Sequence, residues 1–293
     1  MPDIFGSAAS NKLDAETLRR FLAQCPGSCE GSFVRFAGVK AVAQAARLPE
    51  REAMCALLDA GFWPERFRRS RSVLSAEGLK RLLRSRVLIA GCGGLGGHAA
   101  ALLARSGVGA FVLCDPDAFE ESNLNRQMFC AEGTLGRAKA EAAREGLLGM
   151  ASYLDVEAHV VAVDGENLPG LLAGCSAVVD GLDSVPKKLM LEEAAARAGL
   201  SFVHGSVNRE EGFAFIEAAG GRRLAGMWPD AKERAEEGDR AFLESPDTVA
   251  SSAAGVACLM ASLLVKALAC GEVRDSALLH LDCSVPELAR FEF

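Results

Sequence analysis

Arg86-Val87-Leu88-Ile89-Ala90 runs directly into Gly91-Cys92-Gly93-Gly94-Leu95-Gly96-Gly97, and the reading of this stretch decides the fold. The first five residues are apolar and partly β-branched, too few for a helix and bounded by glycine, which predicts a buried strand. Glycines at 91, 93 and 96 then have the spacing of a phosphate-binding turn. One serves the tight turn, one lets backbone approach a phosphate, and one lets the next helix pack close to the strand. A helix over about 95–106 would aim its free N–H groups and positive dipole end at an anion. Gly94 belongs to the same phosphate-facing turn. Nicotinamide and flavin proteins share this turn, so it does not assign an activity.

The residues downstream narrow the chemistry. A second strand, Ala110–Cys114, ends in Asp115, where a carboxylate can accept ribose hydroxyls. Asp117, Asn123, Arg126 and Gln127 follow, and Lys139 stands thirteen residues past Arg126. Hydride transfer has no use for two cations and two amides beyond a ribose carboxylate. A triphosphate does, because its charge must be neutralised while one phosphorus is attacked. Ala177–Asp180 leads to a further carboxylate, Asp183, at a strand tip suited to holding magnesium on the phosphates.

Helices over 136–148, 167–174 and 187–198 alternate with strands over 156–163, 177–180 and 201–205. Such alternation predicts parallel pairing with right-handed crossovers. The expected fold is α/β: a doubly wound, Rossmann-like, mostly parallel sheet. A hairpin strand within 207–218 and strands over 277–283 and 288–293 add antiparallel members at the C-terminal side. In the last of these, alternating Phe291 and Phe293 read as core packing. Residues 1–62 read as a small helical accessory domain, with helices over 15–23, 39–46 and 49–58, and residues 63–293 as the nucleotide-binding domain.

With 50% hydrophobic residues the chain can bury a large core, and a net charge of −7 gives no reason to expect nucleic acid or an anionic membrane as partner. The ten cysteines are scattered, with Cys92, Cys114, Cys175 and Cys258 in predicted core elements, as in a reducing cytoplasm. Cys25 and Cys29 lack a second pair nearby and read as structural. Residues 1–10 show no secretory signal. The uncharged stretch 248–265 approaches the length of a membrane span, yet its Ala, Ser and Gly content suits a buried helix. His98 and His204 are read as packed imidazoles.

Gly-Cys-Gly-Gly-Leu-Gly (91–96), Asp-Pro-Asp (115–117), Ser-Asn-Leu-Asn-Arg-Gln (122–127), Lys139 and Asp-Gly-Leu-Asp-Ser (180–184) together resemble the ThiF/MoeB/HesA family, from about residue 64 onward. The resemblance implies an E1-like adenylyltransferase that uses ATP and Mg2+. Its substrate would be the C-terminal glycine of a small ubiquitin-like sulfur-carrier protein ending in Gly-Gly, serving thiamine or molybdopterin biosynthesis. It implies catalytic Arg126, Lys139 and Asp183, with magnesium on Asp183. It also implies a homodimer in which Arg69, accompanied by Arg66 and Phe67, reaches the neighbouring subunit's triphosphate.

Several residues depart from the family pattern. Arg223 and Gly226 stand where members carry a Cys-x-x-Cys half of a zinc site, so no zinc is expected. The crossover 230–250 holds no cysteine, which implies a reaction that stops at the acyl-adenylate. Lys188 replaces an arginine usual five residues after the metal-binding Asp. The alternatives are a non-catalytic ThiF-like binding module, an NAD-dependent oxidoreductase, and a tRNA-modifying relative that the acidic balance disfavours.

Overall fold

A computed structural model describes residues 14–25, 27–238, 247–274 and 277–292. The expectations for residues 1–10, for 239–246 of the crossover and for Phe293 lie outside them. The chain opens with α1 (Ala15–Ala23), whose first turn is capped by Asp14 accepting from the Thr17 N–H at 2.8 Å. Next come β1 (Cys29–Glu30), β2 (Phe33–Val34), α2 (Phe36–Ala46), α3 (Glu50–Asp59) and β3 (Trp63–Pro64). The three short strands pair in the order β1-β2-β3. Sequence periodicity does not reach them, because two residues carry no period. The basic stretch after Pro64 winds into a 3-10 turn, Glu65–Ser70, and leads to α4 (Ala76–Arg84).

The main sheet is built from β4 (Arg86–Ala90), β5 (Ala110–Cys114), β6 (Asp155–His159), β7 (Ala177–Asp180), β8 (Ser201–Asn208), β9 (Glu211–Glu217), β10 (Leu278–Asp282) and β11 (Glu287–Phe291). Their order is β11-β10-β9-β8-β7-β4-β5-β6. The five strands β6-β5-β4-β7-β8 are parallel and the last three antiparallel, giving the expected doubly wound sheet with an antiparallel wing. Connecting helices are α5 (Gly94–Ser106), α6 (Lys139–Met150), α7 (Leu168–Leu171), α8 (Val185–Arg197), α9 (Arg223–Met227), α10 (Ala231–Glu236) and α11 (Ala250–Cys270). The chain reverses its winding between β4 and β7, and this switch point opens a crevice at the strands' carboxyl ends.

The central strands are apolar on both faces because both are covered. Val87 and Ile89 join one buried cluster with α5 and α11, while Leu88 and Ala90 join another with α7 and α8. The first cluster continues without a break into Leu18, Val42 and Leu57 of the N-terminal helices. Arg51 ties the same region to the main sheet by donating to the Gly109 carbonyl at 3.1 Å.

Three expectations change. β6 ends at His159 rather than near residue 163: its partner β5 ends at Cys114, and the bond from the Asp115 N–H to the His159 carbonyl at 3.2 Å is the last of the ladder. Phe291, expected in the core, lies on the edge strand and is 51% exposed. Cys258 is exposed on α11, whereas Cys92, Cys114 and Cys175 are buried. Among the described residues, α11 is the one helix long and apolar enough to cross a membrane. It packs against α4, α5, β8 and β9, burying Val256, Met260 and Leu264.

Candidate active site

The crevice at the switch point holds a cavity of about 260 Å³. Gly91, Gly93 and Gly94 form its floor, and Asp115, Asp117, Asn123, Arg126, Gln127, Lys139 and Asp183 stand around it. Gly91 has φ +89°, and a Cβ there would lie 2.4 Å from the Gly181 carbonyl oxygen, so the backbones closing β4 and β7 meet through glycine. Gly96 does not line the cavity. It lies beneath the turn, where a Cβ would come within 1.8 Å of the Gly91 carbonyl oxygen. Gly93 and Gly94 have only ordinary van der Waals neighbours, starting at 3.6 Å, and leave their backbone open to a ligand.

Asp115 is buried, and each carboxylate oxygen already accepts a backbone N–H: Oδ2 from Cys92 at 2.7 Å and Oδ1 from Asp117 at 2.9 Å. Each oxygen retains a second acceptor site for a ribose hydroxyl. Burial raises its pKa, against the pull of those two N–H groups.

Lys139 is the first residue of α6 and is almost wholly buried. Asp117 fixes it at two points, its carbonyl accepting the Lys139 N–H at 2.8 Å and its Oδ2 the ammonium at 2.9 Å. A buried ammonium needs such a partner. The 3-10 turn Glu121–Asn123 sets the next group, with Asn123 Oδ1 accepting the Glu120 N–H at 3.1 Å. Arg126 donates through Nη1 to the Ser122 carbonyl and to Asn125 Oδ1, at 3.0 and 2.8 Å, and keeps further donors for a ligand. His98 Nε2 donates to the Arg126 carbonyl at 3.2 Å, and burial lowers its pKa, so a neutral imidazole ties this loop to α5. Gln127 is buried, and its Oε1 has no partner among the described residues. A polar atom left unpaired at a cavity wall is one that a ligand can satisfy.

Asp183 stands at the rim with Lys187 Nζ 3.0 Å from its Oδ1. Both side chains are exposed, and an exposed pair of this kind contributes about 0.2–1 kcal/mol. Among the described residues no group of three His, Cys, Asp or Glu gathers that could cage a metal. Magnesium commonly takes one or two carboxylates, the remaining ligands being water and substrate phosphates, and a single exposed carboxylate beside the phosphate-facing turn fits that mode.

Arg69 is exposed on its 3-10 turn, lines no part of this cavity and makes no hydrogen bond or ion pair among the described residues. Its companions serve the fold: Phe67 is buried, and Arg66 donates to the Met150 carbonyl at 3.0 Å while lying over the Tyr153 ring. Lys188 turns away from the cavity. It is buried, 3.2 Å from Asp180 Oδ2 and 3.3 Å from the Gly205 carbonyl oxygen. His204 Nδ1 donates to the same Asp180 oxygen at 2.6 Å, with its ring among Phe202, Phe213 and Phe215. Burial disfavours the Asp180 anion, but the Lys188 charge and the His204 hydrogen bond outweigh it and hold the pKa low.

Sequence reading missed Lys187, Val207 and Ala253 as cavity residues. Lys187 had no signal of its own, since Asp183 precedes α8 and helical spacing does not relate the two. Val207 and Ala253 come from distant elements and had none. The thiols nearest the turn are poor nucleophiles: burial pushes Cys114 up to about 11 and Cys92 well above its ordinary value.

Fold and site define a doubly wound α/β protein with a glycine turn open to a cavity at its switch point. The chain belongs to the ThiF family, whose model matches residues 67–287. It is 34% identical over 212 residues to the SAMP-activating enzyme E1 of Haloferax volcanii, covering 70% of this chain and 76% of that one. It is 35% identical over 160 residues to the probable adenylyltransferase/sulfurtransferase MoeZ of Mycobacterium tuberculosis, covering 55% of this chain and 38% of the relative. Against the sulfur carrier protein ThiS adenylyltransferase of Bacillus subtilis the figures are 35% over 149 residues, 50% and 44%. The chain thus spans most of the haloarchaeal relative but less than half of the other two. Among solved structures, E. coli MccB shares the fold with a TM-score of 0.65 at 19% identity, covering 77% of this chain and 68% of that one.

Proposed function

We propose that the chain is an E1-like adenylyltransferase that activates the C-terminal glycine of a small ubiquitin-like sulfur-carrier protein ending in Gly-Gly. It would act with ATP and Mg2+, in the cytoplasm and as a homodimer, with residues 1–62 as a helical accessory domain to the adenylation domain, 63–293. The observation that carries this reading is the gathering of Lys139, Arg126, Asn123, Gln127, Asp115 and Asp183 around one glycine turn.

In the reaction, a carrier carboxylate oxygen bonds to the α-phosphorus, and the bond from that phosphorus to the oxygen bridging to the β-phosphorus breaks. Pyrophosphate leaves and the acyl-adenylate remains. The attacking carboxylate is an anion at neutral pH, so no side chain need take a proton. The residues position groups and stabilise charge. Asp115 takes the ribose, and the N–H groups of the α5 N-terminus and of the Gln127 side-chain amide face phosphate oxygens. Lys139 and Arg126 meet the charge that builds on the leaving group. Asp183 would hold Mg2+, which supplies further charge neutralisation when bound. Arg69 would come from the second subunit.

The test is carrier-dependent exchange of labelled pyrophosphate into ATP, against a panel of small proteins ending in Gly-Gly. Exchange with one carrier is the expected result. Binding of NAD in place of ATP, without exchange, would overturn the reading.

A further inference from the structure

Two adjacent lysines at the start of α8 have opposite fates. Lys188 is buried on Asp180 and the Gly205 carbonyl and belongs to the fold. Lys187 lines the cavity, half-exposed, and its partner is the rim carboxylate Asp183 at 3.0 Å. Neither of the usual structural reasons accounts for it. It is the third residue of α8, where the helix dipole disfavours a cation. Its exposed pair with Asp183 holds little more than thermal energy and opens readily. What the position does provide is a mobile ammonium within reach of the group best placed to bind a divalent cation.

Resting on the adenylating reading above, we propose that Lys187 is a phosphate ligand kept in reserve on Asp183. In the empty site its charge stands where the divalent cation's charge will be, keeping Asp183 from meeting the incoming polyphosphate as a bare anion. When magnesium nucleotide binds, Asp183 exchanges Lys187 for the cation, and Lys187 turns to a phosphate oxygen beside Lys139 and Arg126. No bond is made or broken in the exchange.

The inference is tested with Lys187→Met and Lys187→Arg in the full chain, using ATP binding by calorimetry, with and without magnesium, and thermal unfolding as the check on folding. Lys187→Met should unfold at the wild-type temperature. It should bind ATP about tenfold more weakly at saturating magnesium, as expected for a lost charge-assisted contact, and more weakly in EDTA too, where Asp183 is left a bare anion facing the polyphosphate. It should also need less magnesium for half-maximal ATP binding, because nothing competes for Asp183. Lys187→Arg should restore the ATP affinity. Unchanged ATP affinity in Lys187→Met, or an unchanged magnesium midpoint, would overturn this inference and leave the adenylating reading standing. A wild-type protein that binds no ATP would overturn both.

Discussion

Gly96 carries no side chain because none fits: a Cβ 1.8 Å from the Gly91 carbonyl oxygen would push α5 off β4. Gly94 sits on the open side of the same turn, where a Cβ would meet Ala253 at an ordinary 3.6 Å. We therefore expect Gly96→Ala to lose the cooperative thermal transition, and Gly94→Ala to keep it while weakening ATP binding. Equal unfolding temperatures for the two variants would contradict this division of labour. In the proposed reaction Arg126 and Lys139 act on charge rather than on shape. Arg126→Ala should retain the fold and cost transition-state stabilisation of about 3 kcal/mol, roughly a hundredfold or more in exchange rate. Exchange at the wild-type rate would remove Arg126 from the mechanism. Residue types and spacing made the gathering of these groups around one cavity legible in the sequence, because the proposed chemistry needs them beside that turn. Direction was not legible: nothing in Lys187-Lys188 says that one side chain enters the cavity and the other the core.

α9 shows what an element can use where the family pattern places a zinc ligand pair. Arg223 and Gly226 belong to this short helix, and its first turn is anchored by two buried carboxylates, Glu192 of α8 and Glu217 of β9. Glu192 Oε1 accepts the Leu224 N–H at 2.6 Å and its Oε2 the Ala225 N–H at 3.1 Å, while Glu217 Oε2 accepts from Arg223 at 3.0 Å. Arg222 reaches Glu192 with Nε at 3.4 Å, and Lys188 lies one turn earlier on α8. Burial, then the hydrogen bond and charge of Glu217, push Glu192 from its ordinary 4.5 up to about 7. The folded state therefore binds a proton that the unfolded chain has released. Stability from this pair is full below pH 4.5 and falls as pH rises through about 7. Amide exchange at Leu224 and Ala225, corrected for its intrinsic pH dependence, should quicken between pH 5 and 8 in the wild type and less so in Glu192→Gln. An equal response in both would show that the pair shares no proton. Strand positions were the legible part at this scale, since buried parallel strands announce themselves as apolar runs. The tiny β1–β3 sheet and the exposed Phe291 were not, because pairing partners far along the chain decide them.

Across the whole molecule, the exposed Arg69 outside its own cavity makes the proposed dimer testable without a structure of it. Mixing Arg69→Ala with Lys139→Met, each inactive alone, should restore part of the exchange, because one site of each heterodimer would then hold both groups. If Arg69 acts within its own chain the mixture stays silent, and if it does not act at all Arg69→Ala alone exchanges at the wild-type rate.

The apolar cluster that runs from Leu18 and Leu57 through Phe111 to Tyr153 bears on how the protein is made. The helices over 15–59 leave the ribosome before the main sheet, yet part of the surface that covers them is near the middle of the chain. At roughly 5–20 residues per second, about 5 to 20 s separate the synthesis of Leu58 from that of Tyr153. During that wait Met54, Leu57 and Leu58 have no finished core to enter, so the nascent chain is most dependent on chaperones until Tyr153 has been added.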